Sequence, residues 1–412
     1  MVLGSELSIG DLVKETPTDF IVHKRVFSDP LVFDQEMERI FETGWVYVAH
    51  ESEVAKGGDY KTVLVGRQPV IISRNSDDNK IYVMYNSCRH RGATVCQSEY
   101  GHSNYFRCGY HGWTYDNTGD LAGCPYEDGY QDDFDKSKMG LIRVPRVGNY
   151  RGFIFVSLSP TGPSLEDHLG NVRPYIDLFA DIGPDGIDVV PEHIHKSFYN
   201  GNWKTSVENP NDNYHFEFTH ASLQAVYERR GRPTATMAAG KQRRSSGKGA
   251  MMLDLGNGHH AWGGFDGPGT DWKNYRLGGN SMPPVFIFPN VVLIDVQIRH
   301  VVPLAVDKTE LHVHLVGLKG VPDEINEERW DHHHEFYGAA GLGAPDDWEQ
   351  FERFYRGSLS RGDEWVRYSR GLKYEVADSA TGKRGVSNEK LPTSEVTLRA
   401  IYRQWHRAMT SA

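Results

Sequence analysis

Cysteine is scarce in this sequence, which has only four in 412 residues. They all fall between positions 88 and 124, and they are Cys88, Cys96, Cys108 and Cys124. A secreted chain of this length that relied on disulfides would spread its cysteines more widely, so the distribution argues against a disulfide scaffold. Clustered cysteines are more typical of a metal site.

Long apolar runs are also missing, since no stretch approaches the roughly 20 apolar residues that span a bilayer. The first residues, MVLGSELSIGDLVKETPTDF, lack the basic and apolar regions of a signal peptide. We therefore expect a cytoplasmic protein without membrane association. The 45 basic residues are outnumbered by 55 acidic ones, for a formal net charge of -10. Because phosphate binding needs a clustered cationic surface, we expect no nucleic-acid partner.

The length indicates two or more domains. Apolar residues at helical intervals predict a helix over residues 30–45, at the end of an N-terminal helical segment (1–44) that packs on the last domain. Short Val-, Ile- and Tyr-rich runs separated by turn residues predict a small antiparallel β domain at 45–160. Mixed helical and strand patterns predict an α+β domain at 161–412, with loops near the site entrance in the glycine-rich segment 238–281.

One constellation of cysteine and histidine lies in the predicted β domain. It reads Cys88-x-His90, then 17 residues, then Cys108-x-x-His111. Two thiolates for one iron and two neutral imidazoles for the other suit a [2Fe–2S] cluster, with a potential above that of a four-cysteine ferredoxin. These four residues are therefore predicted to hold an electron-relay cluster.

A zinc ribbon is the alternative interpretation, because two cysteines and two histidines also suit tetrahedral Zn²⁺. A zinc ribbon usually begins with C-x₂-C, which is not the spacing found here. Cys96 and Cys124 are interpreted as small buried residues rather than ligands.

A second constellation follows in the α+β domain, where Asp212-x-x-His215 is followed after four residues by His220. A helix with an irregular turn would bring the two histidines roughly onto one side. Two imidazoles and one carboxylate form the facial triad of non-haem Fe(II) oxygenases, which leaves the opposite face of the metal open for O₂ and substrate. The carboxylate must then come from elsewhere in the chain.

In this order the two motifs resemble those of Rieske-type non-haem iron ring-hydroxylating oxygenases, specifically their catalytic α subunits. The first motif matches the family pattern C-x-H-x₁₇-C-x₂-H at every ligand position, and the resemblance covers nearly the whole chain. It implies that the third iron ligand is the second acid of the Asp-Asp pair, Asp347, with Asp346 as the alternative.

The resemblance also implies a function for Asp212. In the family, the matching aspartate links a cluster histidine to an iron histidine across the interface between neighbouring subunits, here His111 and His215. Such a carboxylate would fix both histidine tautomers and shorten the electron path. From the residues alone, Asp212 is also consistent with a turn that follows Pro210.

The fold implied by the resemblance is α+β, with a small antiparallel β Rieske domain followed by a helix-grip catalytic domain on an antiparallel sheet. The implied reaction is hydroxylation of an aromatic ring, by cis-dihydroxylation or monooxygenation, with O₂ and Fe(II). In the short spacing from Glu208 to Asp212 and in the segment PDDWEQFE the chain resembles the members that act on aromatic acids, which implies an aromatic carboxylate or a similarly substituted aromatic as substrate. The rival hypothesis is a Rieske electron-transfer protein without oxygenase activity, which would not need a second iron site.

Nucleotide-binding motifs are absent, because the sequence has neither a G-x-G-x-x-G that opens a βαβ unit nor a Walker motif. We therefore expect electrons from NAD(P)H to arrive through a separate reductase, a ferredoxin or both. By family analogy the chain forms a homotrimer (α3), or an α3β3 assembly with a small β subunit.

Three further features of the sequence have side chains that could bind a metal or an anion. The run His332 to His334 would point its side chains about 100° apart on a helix, which favours a solvated face over a metal site. His312 and His314 would share one face of a strand, where surface or hydrogen-bonded positions are expected. Arg299 offers bidentate geometry that suits either a substrate carboxylate or a structural salt bridge.

Overall fold

Two compact units make up the chain, in a computed structural model that describes residues 7–231, 250–264, 266, 284–294 and 296–411, with the backbone alone at 190–192 and 332. The larger unit comprises Met1–Ile40, Pro163–Asp188 and His193–Ala412. The smaller unit comprises Phe41–Gly162 and Val189–Glu192. Within the described ranges, every helix is too short or too polar to cross a membrane.

The chain begins with two strands and two helices: β1 Val13–Glu15, β2 Phe20–His23, α1 Arg25–Ser28 and α2 Pro30–Glu36. Helix α2 begins after Asp29, whose side chain accepts a hydrogen bond from the Leu31 amide at 2.9 Å. Pro30 occupies the first helical position, where its missing N–H costs nothing. A π-helical turn, Met37–Glu42, continues the helix, which therefore ends three residues before the predicted limit.

Helix α2 is anchored in the larger unit through the buried carboxylate of Glu36. This carboxylate accepts hydrogen bonds from Lys204 Nζ at 2.5 Å, Trp203 Nε1 at 2.8 Å and Trp405 Nε1 at 2.6 Å. A fully buried ion pair is tolerated only when its charges are mutually satisfied, and removal of one partner costs about 3–5 kcal/mol. The N-terminal segment is therefore an integral part of the larger unit.

The smaller unit contains ten short strands: β3 Val46–His50, β4 Asp59–Val65, β5 Gln68–Arg74, β6 Ile81–Tyr85, β7 Tyr100–His102, β8 Tyr105–Arg107, β9 Thr114–Asp116, β10 Leu121–Gly123, β11 Arg146–Tyr150 and β12 Phe153–Ser157. They form antiparallel sheets in the orders β6-β5-β4-β7, β10-β9-β8 and β11-β12-β3. The β4–β5 hairpin turns at Gly66, whose φ of +58° lies in the left-handed region that glycine adopts without strain. The predicted antiparallel β domain is confirmed.

The rest of the larger unit contains eight helices among the described residues: α3 Leu165–Leu169, α4 Arg173–Ala180, α5 Trp203–Glu208, α6 Phe216–Thr219, α7 Ala221–Arg229, α8 Asp323–Tyr337, α9 Ala344–Ser358 and α10 Val396–Thr410. Its strands are β13 Ile187–Tyr199, β14 Met251–Gly256, β15 His259–Gly263, β16 Val285–Ile287, β17 Val291–Ile294, β18 Gln297–Ala305, β19 Lys308–Leu318, β20 Trp365–Arg367, β21 Val376–Ala377 and β22 Arg384–Ser387.

Nine of these strands form one sheet in the order β13-β19-β18-β17-β16-β15-β14-β22-β21. Helix α10 packs against β14 and β15. The α+β class predicted from the sequence is confirmed. Of the glycine-rich segment 238–281, only 250–264 and 266 are described, and the hairpin β14–β15 occupies most of this part in place of the predicted loops.

Helices α8 and α9 lie on the same face of this sheet. His193 of β13 packs edge-to-face on Trp330 of α8, with ring centroids 4.5 Å apart. Tyr199, six residues along the same strand, packs on Phe351 of α9 at 5.0 Å. Because side chains alternate along a strand, residues 193 and 199 point to the same side. We call this side the helix face of the sheet.

Candidate metal centres

Two loops of the smaller unit carry the residues predicted to bind the cluster, which are Cys88, His90, Cys108 and His111. One loop follows β6 and the other connects β8 to β9. Both loops have the same turn, in which the Gly92 amide donates to the Cys88 carbonyl at 2.8 Å and the Gly112 amide to the Cys108 carbonyl at 3.0 Å. The two glycines have φ of +75° and +74°, which residues with a Cβ rarely adopt.

The cysteines of this site are buried and its histidines are half-buried. Cys88 is 4% exposed and Cys108 is 2% exposed. The imidazole rings of His90 and His111 lie 4.5 Å apart between centroids. The hydroxyl of Tyr115 lies 3.2 Å from the sulfur of Cys88, within hydrogen-bond distance. The structure therefore brings the Cys88–His90 and Cys108–His111 segments together, with sulfur inside and imidazole towards the surface.

The surroundings of these residues suit metal ligands. Trp113 stacks on His90 at 5.2 Å with an interplanar angle of 8°, so it covers one side of that ring. Desolvation, with added repulsion from the Arg91 guanidinium and from His90, lowers the pKa of His111 and favours the neutral imidazole that binds metal. Two buried thiols beside two imidazoles fit a [2Fe–2S] cluster of the mixed-ligand kind.

The second centre lies in the larger unit, where His215, His220 and Asp347 meet. One ligand atom from each residue lies within 4.8 Å of the others. Asp347 Oδ1 is 3.2 Å from His220 Nε2 and 3.5 Å from His215 Nε2. His220 is 1% exposed and Asp347 is 6% exposed. These acceptor atoms converge on one point, which fits a divalent cation held by two imidazoles and one carboxylate.

Local structure explains this convergence. His215 precedes the short helix α6, and His220 lies between α6 and α7 with φ −99° and ψ 26°. Because the helix is interrupted at His220, the side chains of His215 and His220 point to the same side although they are five residues apart. Asp347 lies in the first turn of α9, where a helix dipole favours an acidic side chain.

One other side chain at this centre, that of Asn209, was not recognised from the sequence. Asn209 Nδ2 lies 3.1 Å from both His215 Nε2 and Asp347 Oδ1, so its amide donates to two of the candidate ligand atoms. Asp346 faces the opposite nitrogen of His220, with Oδ2 at 3.6 Å from Nδ1. Of the two adjacent aspartates, Asp347 therefore lies at the convergence point. Asp346 lies on the far side of the His220 ring, beside Nδ1.

Asp212 lies beside His215, with Oδ2 at 3.5 Å from Nδ1. Its other carboxylate oxygen accepts a hydrogen bond from the Tyr214 amide at 2.7 Å, which is an Asx-type turn. The two interpretations of Asp212 are thus compatible, because each uses a different oxygen. His215 therefore presents Nε2 to Asp347 and Nδ1 to Asp212.

Aromatic rings pack around the second centre. Phe336 of α8 lies 5.3 Å from His220 between ring centroids, and Phe216 lies 5.1 Å from it. His333 is 4% exposed and stacks on Tyr337 at 5.1 Å. The predicted solvated face is therefore wrong for His333, although His334 is exposed. The side chain of His332 lies outside the described residues.

A second group of histidines, His300, His312 and His314, also has ligand atoms within 4.8 Å of one another. His300 lies directly opposite His312 in the β18–β19 register. His312 and His314 are both buried, so of the two positions expected for them, surface or hydrogen-bonded, the surface position is wrong. His300 follows Arg299, which faces Tyr337 of α8 on the helix face. Because neighbouring strand residues point to opposite sides, these histidines lie away from the centre at Asp347.

Both centres together define an oxygenase that couples an iron–sulfur cluster to a non-haem iron. Residues 44–141 match the family described as Rieske [2Fe-2S] domain, and residues 179–411 match the ring hydroxylating alpha subunit (catalytic domain). The chain therefore belongs to the family of ring-hydroxylating oxygenase α subunits. It carries the catalytic domain that a simple electron carrier lacks, and the predicted [2Fe–2S] and non-haem iron cofactors are those of this family.

Individual relatives agree with this assignment. The chain is 32% identical over 395 residues to the large subunit of 2-halobenzoate 1,2-dioxygenase from Burkholderia cepacia, covering 90% of this chain and 84% of the relative. It is 32% identical over 409 residues to toluate 1,2-dioxygenase subunit alpha from Pseudomonas putida, covering 92% and 88%. The fold is similar to naphthalene 1,2-dioxygenase from Rhodococcus sp. bound to indole, with a TM-score of 0.80, 28% identity and 94% coverage of each chain.

Proposed function

We propose that this chain catalyses cis-dihydroxylation of an aromatic carboxylate, with O₂ and with electrons from a separate reductase. The observation that carries the proposal is the convergence of His215, His220 and Asp347. The same chain has the two cysteine–histidine pairs of a Rieske domain. The substrate class is supported by the two relatives, whose names specify a halobenzoate and a toluate.

In this proposal the ligands of the two metal centres are those described above. Cys88, His90, Cys108 and His111 hold the cluster, while His215, His220 and Asp347 hold the iron. When bound, the cluster supplies single electrons and Fe(II) supplies the site at which O₂ is activated. The protein contributes imidazoles, a buried carboxylate and aromatic surroundings.

Two aspartates hold the iron histidines in position. Asp212 Oδ2 lies 3.5 Å from His215 Nδ1 and Asp346 Oδ2 lies 3.6 Å from His220 Nδ1, and a proton held at each Nδ1 beside its carboxylate would leave both Nε2 atoms able to bind metal. Asp212 in addition contacts the cluster ligand His111 of a neighbouring copy, as the family resemblance implies. Asp212 thereby joins the two centres in the assembled enzyme.

The rings of Phe336 and Phe216 position the substrate ring. Phe336 and Phe216 flank His220, and edge or face contacts between rings stabilise an aryl group by about 0.5–1.5 kcal/mol per pair beyond area burial. Their apolar rings also shield the His220 side of the site from bulk water.

The proposed assembly is a trimer of this chain, alone or with a small β subunit, that receives electrons from NAD(P)H through a reductase or a ferredoxin. Members of the family work with such partners and often form α3 or α3β3 assemblies. The dependence on NAD(P)H places the proposed reaction in the cytoplasm.

Turnover of a substrate panel tests the proposal. Holoenzyme with a reductase and NADH is incubated with benzoate, 2-chlorobenzoate and toluate, and separately with toluene and naphthalene. We expect cis-diol acids from the carboxylates and little product from the hydrocarbons. Products that carry a single new hydroxyl would show that the reaction is monooxygenation instead of dihydroxylation. Turnover of the hydrocarbons alone would refute the assignment of a carboxylate substrate.

Serine at Cys88 or Cys108 should abolish the visible and EPR spectrum of the Rieske cluster, because a hydroxyl is a much poorer ligand for iron–sulfur than a thiolate. Cys96→Ser is the matched control, since Cys96 is only partly buried and lies outside the ligand set. The reduced-state EPR signal of each variant is measured. A wild-type signal from Cys88→Ser or Cys108→Ser would contradict the ligand assignment.

A further inference from the structure

We infer that Arg299 binds the carboxylate of the substrate and thereby selects aromatic acids over neutral aromatic compounds. The inference rests on the proposed function and specifies the group that recognises the acid. Arg299 lies on β18, where its neighbours across the strands are Val292 and Val313. It is 6% exposed.

A guanidinium in such a position requires an anionic partner, because burial of an unpaired charge is costly. Among the described residues no ion pair includes Arg299, and its Nε has no hydrogen-bond partner there. Three other buried cations differ, since each has a carboxylate at 2.5 to 2.7 Å: the pairs are Lys61–Glu53, Lys204–Glu36 and Arg399–Glu375. The folded chain therefore retains a buried cation for which these residues supply no counter-charge.

Contacts connect this cation to the iron site along the helix face. The guanidinium lies 5.5 Å from the ring centroid of Tyr337. The Tyr337 ring lies 4.4 Å from Phe336, and Phe336 lies 5.3 Å from the ligand His220. An aryl ring bound near Phe336 would thus have the guanidinium on one side and the candidate iron ligands on another.

The chemistry of the surroundings favours a carboxylate at this position. A guanidinium presents two parallel N–H groups that match the two oxygens of a carboxylate. Burial, with added repulsion from His334 and Arg299, lowers the pKa of the nearby His195 to about 4, so His195 is neutral at pH 7 and offers no counter-charge. A substrate carboxylate would supply that charge, and its aryl group would pack on Tyr337 and Phe336.

The test compares benzoate with benzamide, which has the same shape and no charge, in wild-type holoenzyme and in Arg299→Gln. We expect kcat/KM for benzoate to fall at least about 30-fold, as when a buried charge pair loses one partner, while benzamide changes less than about threefold. Arg299→Lys should recover part of the loss, because a lysine keeps the charge without the bidentate geometry. Arg356→Gln on the exposed side of α9 is the control and should leave both substrates unchanged.

Two readouts separate substrate binding from a structural salt bridge. Benzoate should raise the Tm of wild-type protein through ligand binding and should not raise that of Arg299→Gln. Without ligand, Arg299→Met should be at least as stable as wild type, because it removes an uncompensated buried charge, whereas loss of a structural salt bridge would lower the Tm.

Equal losses for benzoate and benzamide, or an unchanged kcat/KM for benzoate in Arg299→Gln, would overturn the inference while the proposed function stands. If wild-type enzyme turns over no aromatic acid, the proposed function itself fails, and the inference fails with it. Intact iron and cluster content in every variant ensures that the comparison reports on substrate binding.

Discussion

Alanine at His215, His220 or Asp347 should remove the mononuclear iron and abolish turnover while the [2Fe–2S] spectrum remains. The triad atoms lie in the larger unit and the cluster residues in the smaller one, so loss of one site need not disturb the other. Because changes to residues that merely support a ligand cost about 10–100-fold in metal affinity or activity, loss of a ligand should exceed about 100-fold. Iron content by elemental analysis, measured beside the visible spectrum, checks this result.

Asp346→Ala is the matched control for Asp347→Ala. Asp346 faces Nδ1 of His220 at 3.6 Å instead of the convergence point, so its loss should weaken iron binding by about 10–100-fold without eliminating it. If Asp346→Ala loses the iron and Asp347→Ala keeps both iron and turnover, the two aspartates have been assigned in the wrong order.

Asp212→Asn should lower turnover at least about 100-fold while the cluster still reduces with dithionite and iron still binds. The amide keeps the size of the side chain and retains one oxygen for the Tyr214 amide, so the local turn survives. It replaces the carboxylate that lies 3.5 Å from His215 Nδ1 by a group that cannot accept from two imidazoles in the same way. Rapid mixing of reduced enzyme with substrate and O₂ reports the rate of cluster reoxidation.

Asn213→Ala provides the comparison for Asp212→Asn, because Asn213 is the next residue and its side chain donates to the Pro392 carbonyl at 2.9 Å, away from the iron ligands. Wild-type rates of reoxidation and product formation in Asp212→Asn would show that the aspartate serves only the turn. Slow reoxidation in both variants would instead indicate general disturbance of the segment.

The parts of the site that were predictable from sequence are those formed by contiguous segments. Cys88 and His90 are two residues apart and Cys108 and His111 are three apart, and the four together predict a mixed-ligand cluster. His215 and His220 are five residues apart and likewise recognisable as a pair. Only the resemblance to the family predicts Asp347 as a ligand. No local sequence pattern connects an acid in α9 with histidines that lie 127 or more residues before it.

Other features depend on packing that sequence patterns do not encode. Asn209 contacts two ligand atoms because a 3₁₀ turn follows α5, and an isolated asparagine before a proline predicts only a turn. The His300–His312 pair depends on the β18–β19 register, which sets cross-strand neighbours. His333 was assigned to a solvated face because helical spacing alone does not show that the face packs on Tyr337.

The same argument explains why Arg299 was ambiguous in the sequence. A guanidinium suits a structural salt bridge and a substrate carboxylate equally well, and the choice depends on which acids lie near it in space. Among the described residues, Arg299 lies opposite Val292 and Val313 and close to Tyr337 and His195, and no ion pair there includes it. Three-dimensional structure therefore supplied the information that favours the substrate.

A single-turnover experiment with ¹⁸O₂ tests the central claim most directly. Fully reduced holoenzyme is mixed with benzoate and ¹⁸O₂ without a reductase, and cluster oxidation and product are measured together. The account predicts that the cluster reoxidises as a diol acid forms and that both new hydroxyl oxygens carry the label. Reoxidation with full iron occupancy, no labelled product and release of peroxide would contradict it, because the chain would then pass electrons without oxygenating the ring.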